Sequence, residues 1–381
     1  MGRLKLFEIA LDGDKAVYEP TEVVSGHVVL ELRGEMRLRS LKVDIRGLAK
    51  VHWTESRGMG TETGSYTQHF TDELEYFHME ETLLGNGTDS ESEAEDDQPL
   101  LTAGRHQFSF SFQLPDERLP TSFEGKHGSV RYWLKAEIDR PWTLPSKVKR
   151  DFTIIDHIDI NDTYHLTPTG GSREKTLCCW LCTSGPVSLS ARTDRRGYCP
   201  GESIAISAEF ENHSSRRMIP KAALYQTQCY RAGGKTRTVR ENVAHMKGEA
   251  LSAGDTVQWE NRLLPVPALT PSIISCSIIT VEYSLMVFLD IPGGMNLILH
   301  LPIVIGTVPL SRQPYPIHLY PMAGISTPFA DAPLVMMSVW LACPPLTSLW
   351  PPHQAESPST PASLLPTTHR WKLHPKKVQV S

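Results

Sequence analysis

The stretch that decides the fold is residues 130–138, Val-Arg-Tyr-Trp-Leu-Lys-Ala-Glu-Ile, in which apolar side chains occupy every second position. A period of two is typical of a β-strand with one buried face. The same alternation returns along the rest of the chain, at residues 41–46, 107–114, 204–210, 281–289 and 297–305. No segment keeps a helical period of 3.6 residues over three turns. The sequence therefore predicts an all-β protein.

Two short echoes in the same order indicate that one β unit occurs twice. The pattern Tyr-x-Pro-x-Glu is present at residues 18–22 and again at 198–202. A proline followed ten residues later by Val-x-Tyr-x-Leu is present at 120–134 and again at 271–285. Clusters of Gly, Pro, Asn and Asp separate the strands, which favours sandwiches over a parallel sheet. We therefore expect two tandem β-sandwiches produced by duplication.

Shifts in composition place the domain boundaries. The polar, turn-rich segment that contains Gly170-Gly171 is typical of a linker. Residues 309–381 hold 14 of the 29 prolines and only two acids, which predicts a disordered, Pro-rich C-terminal tail. The predicted parts are a first domain at 1–158 with an acidic loop at 86–99, a linker and lead-in strand at 159–183, a second domain at 184–310, and a tail at 311–381.

Charge and hydropathy exclude several classes of function. The net charge is −5, but residues 89–98 alone hold six acids, so the rest of the chain is close to neutral. A near-neutral body argues against a nucleic-acid partner. No window approaches the roughly 18–20 apolar residues of a membrane span, and the first residues do not form a signal peptide. Seven cysteines, an odd number, suit a reducing compartment. We expect a cytoplasmic protein.

The chain carries no motif typical of an active site. Gly233-Gly234-Lys235-Thr236 resembles the end of a phosphate-binding loop, but Cys229 stands where the motif needs its first glycine. The segment lies between two strand-like runs, where Gly-Gly is typical of a hairpin turn. The sequence contains neither GxSxG nor HExxH. We expect a protein that is not an enzyme, without a cofactor or a metal site.

Cys178, Cys179 and Cys182 form the most unusual local cluster. Three interpretations remain open for them. They are small apolar side chains packed in the first strand of the second domain, acceptors of palmitate, or ligands of zinc, for which a second pair of ligands at matching spacing is missing. Packing is the favoured interpretation.

The acidic loop contains two serines with an acid three residues further on. Ser90 precedes Glu93, and Ser92 precedes Glu95. This pattern suits an acidophilic kinase, and phosphorylation would deepen a negative charge that repels acidic lipid surfaces. The simpler interpretation is a solvated loop. We treat Ser90 and Ser92 as candidate phosphorylation sites.

Three tryptophans lie where a buried aromatic is not expected. Trp133 occupies the polar side of the alternating stretch, and Trp53 and Trp142 flank charged segments. Packing at a sheet edge explains such residues. The functional alternative is a partner-binding surface, because tryptophan and arginine dominate interface hot spots.

Long blocks over both halves resemble the alpha-arrestin family. In the first half these are residues 120–133, PTSFEGKHGSVRYW, and Arg140-Pro141-Trp142. In the second half they are residues 185–202, GPVSLSARTDRRGYCPGE, residues 281–293, VEYSLMVFLDIPG, and residues 301–310, LPIVIGTVPL. The match covers residues 1–310. It implies two tandem arrestin-type, immunoglobulin-like β-sandwiches.

The resemblance also implies a function. Proteins of this family are adaptors that collect transmembrane receptors or transporters as cargo and bring them to HECT-type ubiquitin ligases for ubiquitination, endocytosis and endosomal sorting. We therefore expect peripheral membrane contact and a location at the cytoplasmic side of the plasma membrane and at endosomes. Other arrestins are possible partners. The thioredoxin-binding branch has a cysteine three residues before a tryptophan, whereas Thr256 precedes Trp259 here.

The tail departs from the family pattern. Alpha-arrestins recruit the WW domains of ligases through PPxY motifs, in which two prolines and a tyrosine fit an aromatic groove. The only tyrosines after Leu310 are Tyr315 and Tyr320, and neither follows a Pro-Pro pair at the required spacing. Direct recruitment of a ligase is thus doubtful. The alternative is a cargo-binding or hetero-oligomerising arrestin module without its own ligase-recruiting motif.

Overall fold

Antiparallel strands dominate the computed structural model, which describes residues 4–59, 64–85, 98–179 and 182–311. The strands of the first domain are β1 (Leu4–Leu11), β2 (Val17–Tyr18), β3 (Val23–Leu32), β4 (Met36–Arg37), β5 (Ser40–Met59), β6 (Gly64–Gly85), β7 (Leu100–Leu101), β8 (Gly104–Gln113), β9 (Phe123–Gly125), β10 (Gly128–Arg140) and β11 (Thr143–Ile154). Those of the second are β12 (Gly170–Cys179), β13 (Cys182–Thr193), β14 (Gly197–Tyr198), β15 (Ser203–Asn212), β16 (Ile219–Ala232), β17 (Lys235–Lys247), β18 (Thr256–Pro265), β19 (Ile279–Asp290) and β20 (Leu297–Ile305). A 3-10 turn (Asp12–Asp14) and helix α1 (Thr163–Leu166) complete the set.

Each domain is a sandwich of two sheets. In the first domain a sheet of order β1-β3-β8 packs on one of order β2-β11-β10-β5-β6, with β9 paired to β10. In the second, β12-β13-β15-β18 packs on β14-β20-β19-β16-β17. The alternating residues of 130–138 point into the first core, where none of the five apolar side chains is more than 1% exposed. The prediction of an all-β protein with two tandem sandwiches is confirmed.

The duplication is visible in matching hydrogen bonds. Tyr18 pairs in parallel with the end of β11, and Tyr198 pairs in parallel with the end of β20. The Tyr18 hydroxyl donates to the Lys15 carbonyl, and the Tyr198 hydroxyl donates to the Arg195 carbonyl, both over 3.0 Å. In the second echo, the Tyr132 hydroxyl donates to the Pro120 carbonyl over 2.7 Å and the Tyr283 hydroxyl to the Thr270 carbonyl over 2.5 Å. Both echoes seen in the sequence are therefore copies of one structural unit.

Within the segment predicted as a linker and lead-in strand, the strand begins at Gly170, earlier than the linker interpretation of Gly170-Gly171 implies. Gly170-Gly171 lies within strand β12, where the two glycines pair with Arg192 and Ala191 of β13. Residues 170–174 are exposed on both faces of this edge strand. Because neither face is buried, the segment lacks the apolar alternation that identifies a strand from sequence.

Candidate partner-binding site

The two sandwiches meet where strand β16 crosses the β5–β6 hairpin, and all the residues described belong to one compact unit. The turn between β16 and β17 consists of Gly233 and Gly234, both with positive φ (56° and 72°). This confirms the prediction of a hairpin turn, since both central residues of a type I′ turn need positive φ. Lys235 points to the first domain, with its Nζ 3.4 Å from Glu55 Oε2 and 5.0 Å from the centre of the Phe70 ring.

A chain of buried hydrogen bonds reaches this interface from the second core. Tyr230 Oη donates to Gln228 Oε1 over 2.6 Å, Gln228 Nε2 donates to Gln226 Oε1 over 2.7 Å, and Gln226 Nε2 donates to Tyr283 Oη over 2.7 Å. The Tyr283 hydroxyl in turn donates to a backbone carbonyl of Thr270. Buried amides are costly unless they are paired, and this relay pairs both glutamines.

The relay ends against the first domain. The backbone N–H groups of Lys126 and His127 approach the Tyr230 hydroxyl and favour its charged form, but burial is the larger effect and raises the pKa of this phenol to about 12. The His127 ring stands edge-on to the Tyr230 ring at 5.5 Å. A Cβ on Gly125 would lie 2.1 Å from Tyr230 Oη, so glycine is required there. The β9–β10 turn is therefore held in place by the second domain.

The segment between the domains is pinned at both ends. Thr307 Oγ1 accepts from the Ile158 backbone N–H over 2.8 Å and donates to the Asp156 carbonyl over 3.0 Å. Asp159 forms a parallel bridge with Val308. In helix α1, the Asp162 carboxylate caps the helix by accepting from the His165 backbone N–H. These contacts hold the segment against the second domain, and the Asp156 backbone N–H reaches the first domain by donating to Thr121 Oγ1 over 3.0 Å.

Beside this segment lies a cleft of about 710 Å³ shared by both domains. Its walls include the β2–β3 turn, residues 116–118, helix α1 and residues 272–275, which precede β19. The carboxylates in its lining are Glu19, Asp116, Glu117, Asp156, Asp159, Asp162 and Glu282. Only Arg118 and two histidines, His157 and His165, oppose them. The cleft is thus strongly acidic at neutral pH.

Asp156 is the least exposed of these carboxylates. Burial raises the pKa of Asp156 above its usual value, against the opposing attraction of Arg118. A charged group that is partly removed from water is stabilised by a nearby opposite charge. A basic ligand in the cleft would supply that charge.

The three tryptophans predicted to form a partner-binding surface are not brought together. Trp53 is only 3% exposed and stacks on Phe70 at 5.2 Å, so the expectation that it is an exposed aromatic is wrong. The physical reason is the β5–β6 pairing, which sets Trp53 directly opposite Phe70. Trp133 is half-buried under the Lys149 ammonium, 4.3 Å from the ring. Trp142 is 89% exposed.

The remaining candidate residues stay predictions. Ser90 and Ser92 lie outside the described residues. The backbone places Cys179 opposite Cys182 and Cys178 opposite Thr183 across the β12–β13 hairpin, while their side chains lie outside the described part. Among the residues whose side chains are described, no group of three or more His, Cys, Asp or Glu is placed to hold a metal ion. No helix in the described ranges has the length and hydropathy needed to cross a membrane.

The acidic cleft could not be predicted from the sequence. Its acids come from four separate parts of the chain, none of them distinctive alone, and they converge only when the two domains dock. The one signal in the sequence is the polar character of residues 159–162, which predicts a linker and not a cleft.

Tandem sandwiches of this connectivity, joined by a short pinned segment, define the class of two-domain arrestin-fold proteins. The family model described as "Arrestin (or S-antigen), N-terminal domain" matches residues 7–161, and the model of the C-terminal domain matches residues 183–310. The chain belongs to the arrestin family, in its alpha-arrestin group.

Curated relatives agree with this assignment. The chain is 44% identical to arrestin domain-containing protein 4 of Mus musculus over 311 residues, which is 81% of this chain and 74% of the mouse protein. It is 42% identical to the same protein of Homo sapiens, over 81% of this chain and 72% of the relative. It is 34% identical to the human thioredoxin-interacting protein, over 80% of this chain and 75% of the relative. Family members of this kind are scaffolds or adaptors, in keeping with a protein that is not an enzyme.

Proposed function

We propose that this protein is an adaptor in membrane-protein trafficking, which binds the cytoplasmic segments of transmembrane receptors or transporters and links them to ubiquitin ligases. Membership of the alpha-arrestin group supports an adaptor role. The observation that carries the choice of cargo is the acidic cleft lined by residues of both domains.

The charge of the cleft matches the chemistry of such cargo. Cytoplasmic loops of membrane proteins carry an excess of Lys and Arg close to the ends of their membrane spans. Seven carboxylates around one cleft attract a basic segment and raise its rate of association. A volume of about 710 Å³ accommodates a few side chains of an extended peptide. The cargo would then be recognised by its charge and not by a fixed motif.

Two mechanisms could recruit the ubiquitin ligase. The chain contains no PPxY motif, so a HECT-type ligase is bound either by another surface or through a second arrestin that carries the motif. The second mechanism would make this protein a cargo-binding, hetero-oligomerising subunit. Titration calorimetry against tandem WW domains, with a PPxY peptide as positive control, separates them. Micromolar binding supports direct recruitment, and absence of heat supports the borrowed ligase.

Three further assignments are proposals of the same kind. The protein would act at the cytoplasmic side of the plasma membrane and at endosomes. Within the family, residues 51–57 and 174–186 resemble arrestin domain-containing protein three. Thioredoxin, named in one group of relatives, is not proposed as a partner, because the residue three positions before Trp259 is Thr256 and not a cysteine.

Reversal of charge in the cleft tests the cargo proposal. Asp116 and Glu117 are exposed and can be changed together to lysine. Glu174 and Glu249, which are exposed and outside the cleft, give a control variant with the same change of net charge when both become lysine. Proximity labelling in cells should recover membrane proteins with the wild-type and control chains, and at least tenfold fewer with the cleft variant. Equal recovery by all three chains would refute the role of the cleft.

A further inference from the structure

The tip of the β10–β11 hairpin presents two large apolar side chains to solvent. Trp142 and Leu144 are each 89% exposed, more than any other large hydrophobic residue in the described ranges. The pairing of β10 with β11 is regular up to Ile138 and Ser146, and a register shift then leads to the pair Arg140 and Thr143. Because of this shift, Leu144 is not paired with a residue of β10. A bulge of this kind changes the direction in which side chains point. Both apolar groups consequently project from one end of the first sandwich.

The second domain contains the same hairpin with a different residue at its tip. The Asp139-Arg140-Pro141-Trp142 sequence of the first copy corresponds to Asp290-Ile-Pro-Gly293 in the second, at the offset of 151 that relates the two halves. Trp142 has a φ of 59° and Gly293 a φ of 69°. This left-handed region is unstrained for glycine and unfavourable for a bulky side chain. The first copy thus keeps an exposed tryptophan where the backbone alone favours glycine.

Strain of this type points to a use for the side chain. Trp142 does not contribute to the core, since it is almost fully exposed. Neither burial nor backbone geometry therefore accounts for a tryptophan at this position. Contact with an apolar environment outside the protein would account for it, because the indole ring would be removed from water there.

The surroundings of the tip are basic. Residues 139–151 contain four bases and two acids. Lys147 and Lys149 follow Leu144 at about 10 and 17 Å along β11, at 3.3 Å per residue. Lys147 Nζ lies 3.2 Å from Glu137 and Lys149 Nζ lies 2.9 Å from Asp151, so each lysine is partly compensated. The segment still has an excess of positive charge, within about one or two Debye lengths of the tip.

We propose that this hairpin tip, defined as residues 140–145, docks the protein on the surface of an anionic lipid bilayer, with Trp142 and Leu144 inserted among the headgroups. Tryptophan prefers the membrane–water interface, because its ring is apolar and its N–H is polar. Basic residues behind the tip are attracted to anionic lipid. The inference rests on the membrane association in the proposed function and names the surface that provides it.

A bilayer fits the shape of the tip better than a protein partner does. A specific protein interface buries about 800 Å² on each side, whereas two side chains at the convex end of a hairpin offer only a fraction of that area. A bilayer accepts a small protruding wedge without a complementary pocket. The two exposed apolar side chains at the tip and the basic residues behind them therefore fit an anionic lipid surface better than a protein.

Sedimentation with vesicles tests the proposal without any cargo protein. The full chain is mixed with vesicles of phosphatidylcholine and phosphatidylserine, and with vesicles of phosphatidylcholine alone. We expect binding to the anionic vesicles that weakens as salt is raised. Trp142→Gly and Leu144→Ser should each weaken it at least tenfold, because each removes one apolar side chain from the lipid contact. Thermal melts of both variants verify that they are folded.

Leu263→Ala is the matched control, because Leu263 is 61% exposed on β18 in the other domain. Its affinity for vesicles should equal that of the wild-type chain. Binding that is unchanged in Trp142→Gly, or lost equally in Leu263→Ala, would overturn the proposal, and the tip would then be assigned to a protein partner. Loss of vesicle binding with cargo labelling through the cleft retained would separate this inference from the cargo proposal.

Discussion

Replacement of Tyr230 by phenylalanine removes one oxygen atom at the junction of the two domains. The variant keeps the aromatic ring, which packs edge-on against His127 at 5.5 Å. It loses the hydroxyl, which donates to Gln228 Oε1 over 2.6 Å and lies beside the backbone N–H groups of Lys126 and His127. The change therefore separates the polar contacts of this hydroxyl from the packing of the ring.

The expected loss of stability is about 2 kcal/mol. Tyr230 is completely buried and Gln228 is only 7% exposed, so water cannot easily replace the lost partner of the glutamine carbonyl. A buried polar group left unpaired costs about 1–3 kcal/mol. Spread over about 300 residues that unfold together, 2 kcal/mol corresponds to a fall of about 3 °C in Tm.

Urea unfolding, followed by fluorescence and circular dichroism, measures this loss. Tyr225→Phe is the control, because Tyr225 lies on the outer face of the same strand with its ring under the Arg240 guanidinium at 4.0 Å. The control should change stability by less than about 0.5 kcal/mol. If Tyr230→Phe behaves like the control, the buried hydroxyl does not stabilise the protein and the reasoning is wrong. If the two domains unfold separately in the variant, the relay also couples them.

Three further changes test other parts of the structure. Gly125→Ala should destabilise the protein by about 1–3 kcal/mol in thermal unfolding, because its Cβ meets Tyr230 Oη, and its cost should be less than additive with that of Tyr230→Phe. Asp156→Asn should stabilise the protein at neutral pH, since burial raises the pKa of this carboxyl and its charged form is disfavoured in the fold. That advantage should shrink as the pH of the urea titrations falls below the raised folded pKa and vanish below the ordinary carboxyl pKa of the unfolded chain, where Asp156 is protonated in both states; an advantage independent of pH would contradict this assignment. Trp142→Gly should leave Tm unchanged or raise it, because glycine relieves a φ of 59°, and a clear fall in Tm would mean that the ring supports the hairpin.

The strands of the two cores were predictable because their signal is local. Alternation along 130–138 and 281–289 reports which side chains are buried, whatever the rest of the chain does. The Gly233-Gly234 turn was predictable for a similar reason, since its φ values depend on the two glycines themselves. The start of strand β12 was not predicted, because residues 170–174 of this edge strand are exposed on both faces and carry no alternation.

The candidate sites depend on contacts that no local pattern contains. Trp53 appeared exposed among polar neighbours, yet pairing with a strand 17 residues further along buries it against Phe70. Lys235 meets Glu55 across 180 residues of sequence, and the acids of the cleft come from both domains. The β class, the duplication and the family are predictable from the sequence, because they follow from short-range periodicity and from motifs. The burial of Trp53, the relay from Tyr230 and the exposed tip at Trp142 were decided by the tertiary structure, because each depends on how separate strands and domains pack.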